Sequence, residues 1–143
     1  MNKPNIRPAI ENDIKLVQEI ADVPELRVTG EKRPPSERWL KAFIDEKQIF
    51  LIAEINKELV GFILGERTTG DLAYLWEVGI SKNFRRKGIG KVLLNSFVKE
   101  CKKRKLRSII TYSHLNERTL NFFKNNEFFE GEDCRELKRR IIK

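Results

Sequence analysis

The six residues Arg85-Arg86-Lys87-Gly88-Ile89-Gly90 stand between an apolar, strand-like run at 72–80 and an amphipathic, helix-like run at 91–103. Glycines let a backbone approach a ligand closely, and the first amide groups of a helix attract negative charge. Three cations lie beside the two glycines. The stretch therefore predicts an anion-binding loop, suited to phosphates, at a junction between a strand and a helix.

Strands and helices alternate on both sides of this junction. Before it, apolar spacing and turn residues predict a short strand, two helices and a hairpin, at residues 5–8, 11–20, 36–45, 48–55 and 59–66. After it we expect a strand, a helix and a closing extended segment, at residues 107–113, 116–125 and 137–142. This order predicts a mixed α/β sheet flanked by helices. The chain shows no repeat or linker, so we expect one domain over 1–143.

Composition limits the classes of protein that fit. The 143 residues are 40% hydrophobic and 35% charged, which is ordinary for a globular domain. Apolar runs are too short for a membrane helix, and the polar start does not resemble a signal peptide, so we expect a cytoplasmic protein without membrane contact. Cys101 and Cys134 lack metal-site spacing and the chain has 1 histidine, so no metal is expected. The net charge of +8 favours phosphate-bearing partners, either a nucleic acid or a small cofactor.

Two well-known glycine-rich loops do not fit the junction. A dinucleotide-binding loop needs a third glycine where Leu93 stands, and an acidic residue farther along where the chain is basic. A nucleotide P-loop needs Ser or Thr after its lysine, but Val92 follows Lys91. What remains is the pattern Arg-x-x-Gly-x-Gly.

In this context the chain resembles the GNAT superfamily of acyl-CoA-dependent N-acyltransferases. The likeness extends beyond the loop to Val78-Gly79-Ile80 on the strand before it, and to Asn116, Phe122-Phe123 and Phe128 after it. The order of predicted elements also matches over essentially the whole domain. The resemblance implies a mixed, mostly antiparallel sheet of about six or seven strands, splayed in the middle and flanked by about four helices.

The same resemblance implies acetyl-CoA as the cofactor and assigns residues to it. Backbone amides and cations of the loop would hold its pyrophosphate, at Arg85, Arg86, Lys87, Gly88, Ile89, Gly90 and Lys91. The backbone of Val78, Gly79 and Ile80 would pair with the pantetheine arm as an added strand does. Asn116 and Phe123 would contact the cofactor near the splay. Lys124 would meet the ribose phosphate, or is simply a solvated helix lysine.

Acetyl transfer to an amine requires a base, and the strand before the loop offers two candidates. Tyr74 lies where several family members carry a Glu or Tyr base, and Glu77 is the one carboxylate in residues 72–80. Regular alternation would point Tyr74, Trp76, Val78 and Ile80 to one face, and Leu75, Glu77 and Gly79 to the other. At most one of the two candidates would then face the acetyl group. The amide of about Ile80 is the oxyanion donor expected from the family.

The sequence departs from the family at Phe123, where many members carry a tyrosine that protonates the leaving thiolate. Phenylalanine has no proton to give. Water, Tyr112, Ser113 or His114 could replace it, and His114 is the third catalytic candidate. The usual glycine before the last aromatic is also absent, with Glu127 in its place.

These residues predict an N-acetyltransferase that uses direct attack in a ternary complex. The acceptor is a protein or peptide amine, slightly preferred, or a small-molecule amine. In this family the first helices and the connection between them wall the acceptor cleft. The alternative is a non-catalytic basic module on the same fold that binds CoA or nucleic acid, although a nucleic-acid partner is not expected. For the oligomeric state, the sequence is compatible with a monomer and with a homodimer.

Overall fold

A computed structural model of the chain describes residues 3–26, 33–113 and 116–142. The strands are β1 (Asn5–Pro8), β2 (Ile49–Ile55), β3 (Glu58–Arg67), β4 (Leu72–Ile80) and β5 (Ser108–Ile110). The α-helices are α1 (Ile14–Ala21), α2 (Glu37–Asp45), α3 (Ile89–Lys103) and α4 (Glu117–Lys124). Short 3-10 turns cover Glu11–Asp13, Pro24–Leu26 and Lys82–Phe84. The predicted α/β fold is confirmed.

The five strands form one sheet in the order β1-β2-β3-β4-β5. The first four pair antiparallel, and β5 alone runs parallel to its neighbour β4. Asn56 and Lys57 both adopt left-handed backbone angles, with φ of 51° and 66°, in the tight turn that joins β2 to β3. This is the geometry that matches the twist of two antiparallel strands, so the predicted hairpin is confirmed.

Helices cover both faces of the sheet. On one face α1 and α2 pack on β2 and β3, and the core there contains Val17, Leu40, Phe50, Phe62 and Leu64. We call this the α1/α2 face. On the other face α3 packs closely, because β3 has glycines where α3 side chains press on it. A Cβ atom on Gly65 would lie 2.5 Å from the Phe97 ring, and one on Gly61 would lie 3.2 Å from Leu93.

Caps explain where two of the helices begin. The Ser36 hydroxyl accepts a hydrogen bond from the Trp39 amide (3.1 Å), and α2 starts at the next residue, as predicted. Asn116 does the same for α4, since its side-chain oxygen accepts from the Thr119 amide (2.9 Å). Side-chain oxygens at these positions satisfy amides that have no partner within the helix.

The described chain divides into two compact units, Met1–Tyr112 and Ser113–Lys143. The smaller unit contains α4, whose Phe123 ring lies 5.2 Å from both Phe122 and Phe128. Glu127 has a left-handed φ of 70°, a conformation that glycine adopts most easily, and the Phe128 amide then bonds back to the Phe123 carbonyl (3.1 Å). The expected single domain stays a prediction.

The predicted strand count is wrong. Five strands are present in the part of the chain that the structure describes, against about six or seven expected. The difference falls at 137–142, where no strand forms and the side chains of Leu137, Ile141 and Ile142 are 91%, 93% and 88% exposed. An alternating or apolar segment forms a strand only when a partner strand pairs with its backbone groups. No partner strand is found for 137–142 within the described residues.

Candidate active site

The sheet opens between β4 and β5. The parallel pairing covers only Leu72 to Tyr74 of β4, and the Thr111 hydroxyl after β5 donates one further bond to the Leu75 carbonyl (2.8 Å). From Trp76 onward, β4 has no strand on that side among the described residues, while β3 pairs with its other side down to Ile80. The predicted splay is therefore present, and it leaves half of β4 as a free edge.

Val78, Gly79 and Ile80 were expected to pair with the pantetheine arm, and two of them direct their backbone groups to this free edge. The Ser81 amide donates to the Val60 carbonyl of β3 (2.8 Å). Because the N–H and C=O groups of successive residues point to opposite sides of a strand, those of Ile80 and Val78 point away from β3. The N–H and C=O groups of Gly79 point toward β3. A Cβ atom on Gly79 would lie 2.5 Å from the Phe62 ring, so packing alone requires a glycine at this position.

The free edge leads directly into the predicted anion-binding loop. Gly88 caps α3 with a left-handed φ of 80°, and nothing lies within 4 Å of where its Cβ would stand. The Val92 amide bonds to the Gly88 carbonyl (3.2 Å), so the amides from 88 to 91 precede the first bond of the helix ladder. Arg85, Arg86, Lys87 and Lys91 around them are exposed. These groups fit a pyrophosphate in charge and in donor chemistry.

Arg85 ties the loop to the strand, which sequence reasoning did not anticipate. Its Nε donates to the carbonyl of Ile80 (3.2 Å), the last residue of β4. Arg86 also adopts a left-handed φ of 60°. The left-handed residues at 86 and 88 turn the chain sharply between β4 and α3.

A β-bulge at Trp76 changes which side chains share a face. Glu77 pairs with Leu64 and Leu75 pairs with Gly65, so Trp76 is an extra residue on β4. Tyr74 pairs with Glu66. Since Leu64 and Glu66 lie two apart on regular β3, Tyr74 and Glu77 both belong to the α1/α2 face.

The predicted alternation is therefore wrong. Trp76 also lies on the α1/α2 face, with its ring centroid 5.6 Å from that of Trp39 on α2. Val78 and Ile80 point to the α3 side, where Ile80 and Leu93 of α3 both approach Gly61. A bulge depends on how two strands pair and leaves no mark in the apolar pattern of one strand. Its effect is to place both base candidates on one face.

Glu77 is the electrostatically unusual group of this region. Its Oε2 atom is buried and has no hydrogen-bond partner within the part of the chain that the structure describes. Burial disfavours the charged form and raises the pKa of Glu77 from 4.5 to about 8. A carboxyl group with this pKa can accept a proton from an amine near neutral pH, which makes it a candidate general base.

The remaining predicted site residues fall elsewhere. Asn116, Phe123 and Lys124 belong to the smaller unit, where Asn116 caps α4 and Lys124 pairs with Glu130 at 3.4 Å. His114 lies outside the described residues. Residues 27–32, in the connection expected to wall the acceptor cleft, also lie outside them. Tyr112 is 64% exposed at the end of the larger unit. The roles of all these residues stay predictions.

The described residues offer neither a metal-binding cluster nor a membrane-spanning helix. Within the three described ranges, no three His, Cys, Asp or Glu side chains come together as metal ligands would. None of the helices described is long and apolar enough to cross a membrane.

Comparison with known proteins agrees with the fold. The family model for the acetyltransferase (GNAT) family matches residues 15–128. No curated protein matches the sequence. Among solved structures, the ribosomal-protein-S18-alanine N-acetyltransferase from Escherichia coli is 19% identical with a TM-score of 0.74, and the similarity covers 91% of this chain and 80% of that one.

Two further structures show the same fold. The PaiA N-acetyltransferase from Thermoplasma acidophilum, solved with coenzyme A, is 24% identical with a TM-score of 0.71, covering 92% of this chain and 94% of that one. The aminoglycoside acetyltransferase meta-AAC0020 from an uncultured soil metagenomic sample, solved with sisomicin, is 17% identical with a TM-score of 0.75 and 97% coverage of both chains. With the family model spanning most of its length, this chain belongs to the GNAT family of acetyltransferases.

Proposed function

We propose that the protein transfers an acetyl group from acetyl-CoA to a primary amine by direct attack in a ternary complex. The observation that carries the proposal is the buried, unpaired Oε2 atom of Glu77 on β4. The free edge of that strand leads into the loop of glycines and cations. A base, a surface for an extended amide-rich chain and an anion-binding loop thus follow one another along the chain.

Acetyl-CoA would use the free edge and the loop together. The pantetheine arm would add to β4 as a short strand, bonding to the outward N–H and C=O groups of Val78 and to the Ile80 carbonyl, which also accepts from Arg85 Nε. The pyrophosphate would meet the amides from 88 to 91 and the side chains of Arg86 and Lys91. Asn116, Phe123 and Lys124 remain proposed cofactor contacts by family resemblance. When bound, the cofactor supplies an activated thioester.

The chain's own groups would serve the steps of transfer. The amine nitrogen forms a bond to the thioester carbonyl carbon, and its proton passes to the Glu77 carboxylate. The Ile80 amide, which points to the free edge, would donate to the oxyanion. The carbon–sulfur bond would then break, and its electron pair would leave on the sulfur as a thiolate. A thiol pKa of about 8.5 makes this departure cost about 2 kcal/mol at pH 7, so Phe123 does not prevent it.

Glu77 is a stronger base candidate than Tyr74. Tyrosine is protonated below a pKa of about 10 and would itself need a base near neutral pH. Tyr74 also packs in an aromatic stack, with its ring centroid 4.4 Å from that of Trp76. We therefore assign the base to Glu77. Tyr74 is left as the alternative base, and water, Tyr112, Ser113 and His114 are left as alternatives for proton donation to the thiolate.

The acceptor is a protein or peptide amine, or a small-molecule amine. An α-amine has a pKa of about 7.8, close to the value of about 8 for Glu77, whereas a lysine amine at about 10.4 is harder to deprotonate. This match favours an α-amine. The structural neighbours are named for a ribosomal-protein alanine in one case and for aminoglycosides in another, so the shared fold does not determine which amine is the acceptor. We propose that the reaction takes place in the cytoplasm, with Cys101 and Cys134 as free thiols.

The cofactor part of the proposal can be tested by calorimetry with acetyl-CoA. Gly88→Asp places a carboxylate in the open space above the loop, where it would repel the pyrophosphate. We expect binding to weaken by about a hundredfold or more. Unchanged affinity in this variant would show that the loop does not hold the cofactor.

A matched control is available in Gly70→Asp. Gly70 also has a left-handed φ, of 88°, with nothing within 4 Å of its Cβ position, but it lies at the opposite end of β4. It therefore carries the same backbone strain and the same new charge. We expect it to bind acetyl-CoA as the parent does. The alternative, a non-catalytic binding module, requires either binding to nucleic acid or binding to acetyl-CoA without transfer to any amine. The same titration with a DNA duplex tests the first of these.

A further inference from the structure

Five aromatic rings form a continuous row from the core of the larger unit to its surface. Successive ring centroids are 4.8 Å apart for Phe43 and Trp39, 5.6 Å for Trp39 and Trp76, 4.4 Å for Trp76 and Tyr74, and 5.9 Å for Tyr74 and Tyr112. The row begins at Phe43, which is 4% exposed, and ends at Tyr112, which is 64% exposed. We call these five residues the aromatic row.

The aromatic row passes the proposed reaction centre. Trp76 is the bulge residue and immediately precedes Glu77 on the same face of the sheet. Tyr112 follows β5 at the point where β5 has separated from β4. One part of the row therefore lies beside the proposed base, and its outer end lies at the opening of the sheet.

Packing of α2 on the sheet accounts for only the inner part of the row. Trp39 and Phe43 serve that packing. Trp76 is 43% exposed and Tyr112 still more, although each is a large aromatic side chain. Neighbouring exposed aromatics beside a buried carboxyl group are the composition of a ligand-binding surface.

The chemistry of the rings indicates what would bind there. Primary amines are cationic at neutral pH, and an ammonium group is attracted to the face of an indole or phenol ring within about 6 Å. An apolar group close to the nitrogen would gain further contact by stacking on the same rings. Because Trp76 adjoins Glu77 in sequence and lies on the same face, an amine whose nitrogen meets the Glu77 carboxylate would have its nearest carbon substituents close to the row.

We infer that the aromatic row is the acceptor-binding surface, and that it selects primary amines with an aromatic or large apolar group within a few bonds of the nitrogen. This inference rests on the proposed acetyl transfer. Such an amine can be the N-terminus of a peptide with a large apolar first residue, or a free arylalkylamine. Both place the same chemistry next to Trp76, and the experiment separates them.

Binding can be measured without catalysis. The chain has 2 tryptophans, Trp39 and Trp76, and both belong to the aromatic row, so tryptophan fluorescence reports on it directly. The protein saturated with coenzyme A is titrated with 2-phenylethylamine against n-butylamine, and with Phe-Ala-Ala against Gly-Ala-Ala. We expect the aromatic member of at least one pair to bind about tenfold more tightly. Equal affinity within both pairs would overturn the inference.

Transfer kinetics with the same four acceptors then test the residues. Trp76→Leu keeps an apolar side chain but removes the indole, and Tyr112→Ala removes the exposed outer ring. We expect the preference in kcat/KM to fall from about tenfold to below about threefold in each, with KM for acetyl-CoA unchanged. Ile10→Ala is the control, because Ile10 is 54% exposed beyond β1 at the far edge of the sheet, and it should keep the full preference.

The outcomes separate the two proposals. A parent protein that binds the aromatic amines selectively but acetylates none of the four would contradict the proposed function and leave the binding surface standing. A parent that acetylates all four, with a preference that survives in both Trp76→Leu and Tyr112→Ala, would contradict the inference and leave the function standing. Melting temperatures confirm that each variant is folded.

Discussion

Asp13 and Glu77 are both carboxylates withdrawn from water, and their surroundings have opposite effects on them. Asp13 is 6% exposed and accepts bonds from both Arg7 terminal nitrogens (2.7 and 2.8 Å) and from the Ile10 amide (2.8 Å). One buried oxygen of Glu77 has no hydrogen-bond partner among the described residues. Burial would raise the pKa of Asp13, but the Arg7 and Ile10 bonds outweigh it and lower that pKa, whereas burial acts alone on Glu77 and raises its pKa to about 8.

The difference separates a structural carboxylate from a functional candidate. The Asp13 group joins β1 to the turn before α1, and Arg7 extends the link to Glu54 of β2 (2.8 Å), so every charge has a partner. An unpaired buried oxygen gives the fold nothing and has a cost of about 1–3 kcal/mol. A group kept at such a cost beside a free strand edge is best explained by chemistry.

The largest expected effect is on catalysis. Glu77→Gln keeps the shape of the side chain and removes its ability to accept a proton. We expect kcat/KM to fall by about 10²–10⁴-fold at pH 8, measured with acetyl-CoA and an amine acceptor. Glu66→Gln is the matched control, because Glu66 is a carboxylate on the same face opposite Tyr74, and it should keep activity within about threefold of the parent. Equal losses of kcat/KM in both variants would mean that activity depends on negative charge on this face and not on a base at Glu77.

The next largest effect is on stability, from the other carboxylate. Arg7→Met leaves Asp13 and Glu54 without their shared cation. We expect the free energy of unfolding to fall by about 3 kcal/mol at pH 7, because a buried charge is left unpaired. Urea unfolding measures this loss. A loss below about 0.5 kcal/mol would show that the cluster does not stabilise the fold and would remove the contrast with Glu77.

A smaller effect is expected in the pH dependence of stability. The folded chain holds a proton on Glu77 that the unfolded chain releases between pH 4.5 and about 8, so its contribution to stability is full below pH 4.5 and is lost as pH rises to about 8. Glu77→Gln should remove this decline and gain about 2 kcal/mol on the parent between pH 5 and pH 9, after allowance for partial exposure. Unfolding curves at both pH values test it, and parallel behaviour of the two proteins would refute the raised pKa.

The smallest effect is expected at an exposed ion pair. Lys41 and Asp45 are joined at 3.0 Å on the outside of α2, with side chains 40% and 58% exposed. Water and salt screen such a pair, so Lys41→Met should leave the unfolding midpoint unchanged within error. A loss comparable with that of Arg7→Met would mean that burial is not what distinguishes the Asp13 cluster.

Much of the fold could be predicted from local chemistry. The strand Leu72–Ile80 has the bounds expected from its β-prone run, and α2 starts where the Ser36 cap indicates. Gly88, which was expected to let the backbone approach a ligand, has a left-handed backbone angle that glycine adopts easily. Each of these features depends on residues close together in sequence, so a local pattern is enough to indicate it.

Features that depend on pairing between distant segments could not be predicted. The bulge at Trp76 arises from the register of β4 on β3, and it reverses the predicted separation of Tyr74 and Glu77. The strand expected at 137–142 fails for the same reason, since an apolar run does not indicate whether a partner will pair with it. The unpaired state of Glu77 likewise depends on what β3, α1 and α2 bring to that face.

The pH profile of kcat/KM in the parent and in Glu77→Gln tests the central claim most directly. An acceptor with an amine pKa of about 10 keeps its own titration apart from that of the enzyme. We predict that activity in the parent rises with an apparent pKa near 8, and that this step is absent in Glu77→Gln, leaving only the step due to the amine. The same step near pH 8 in both proteins would contradict the assignment of Glu77 as the base.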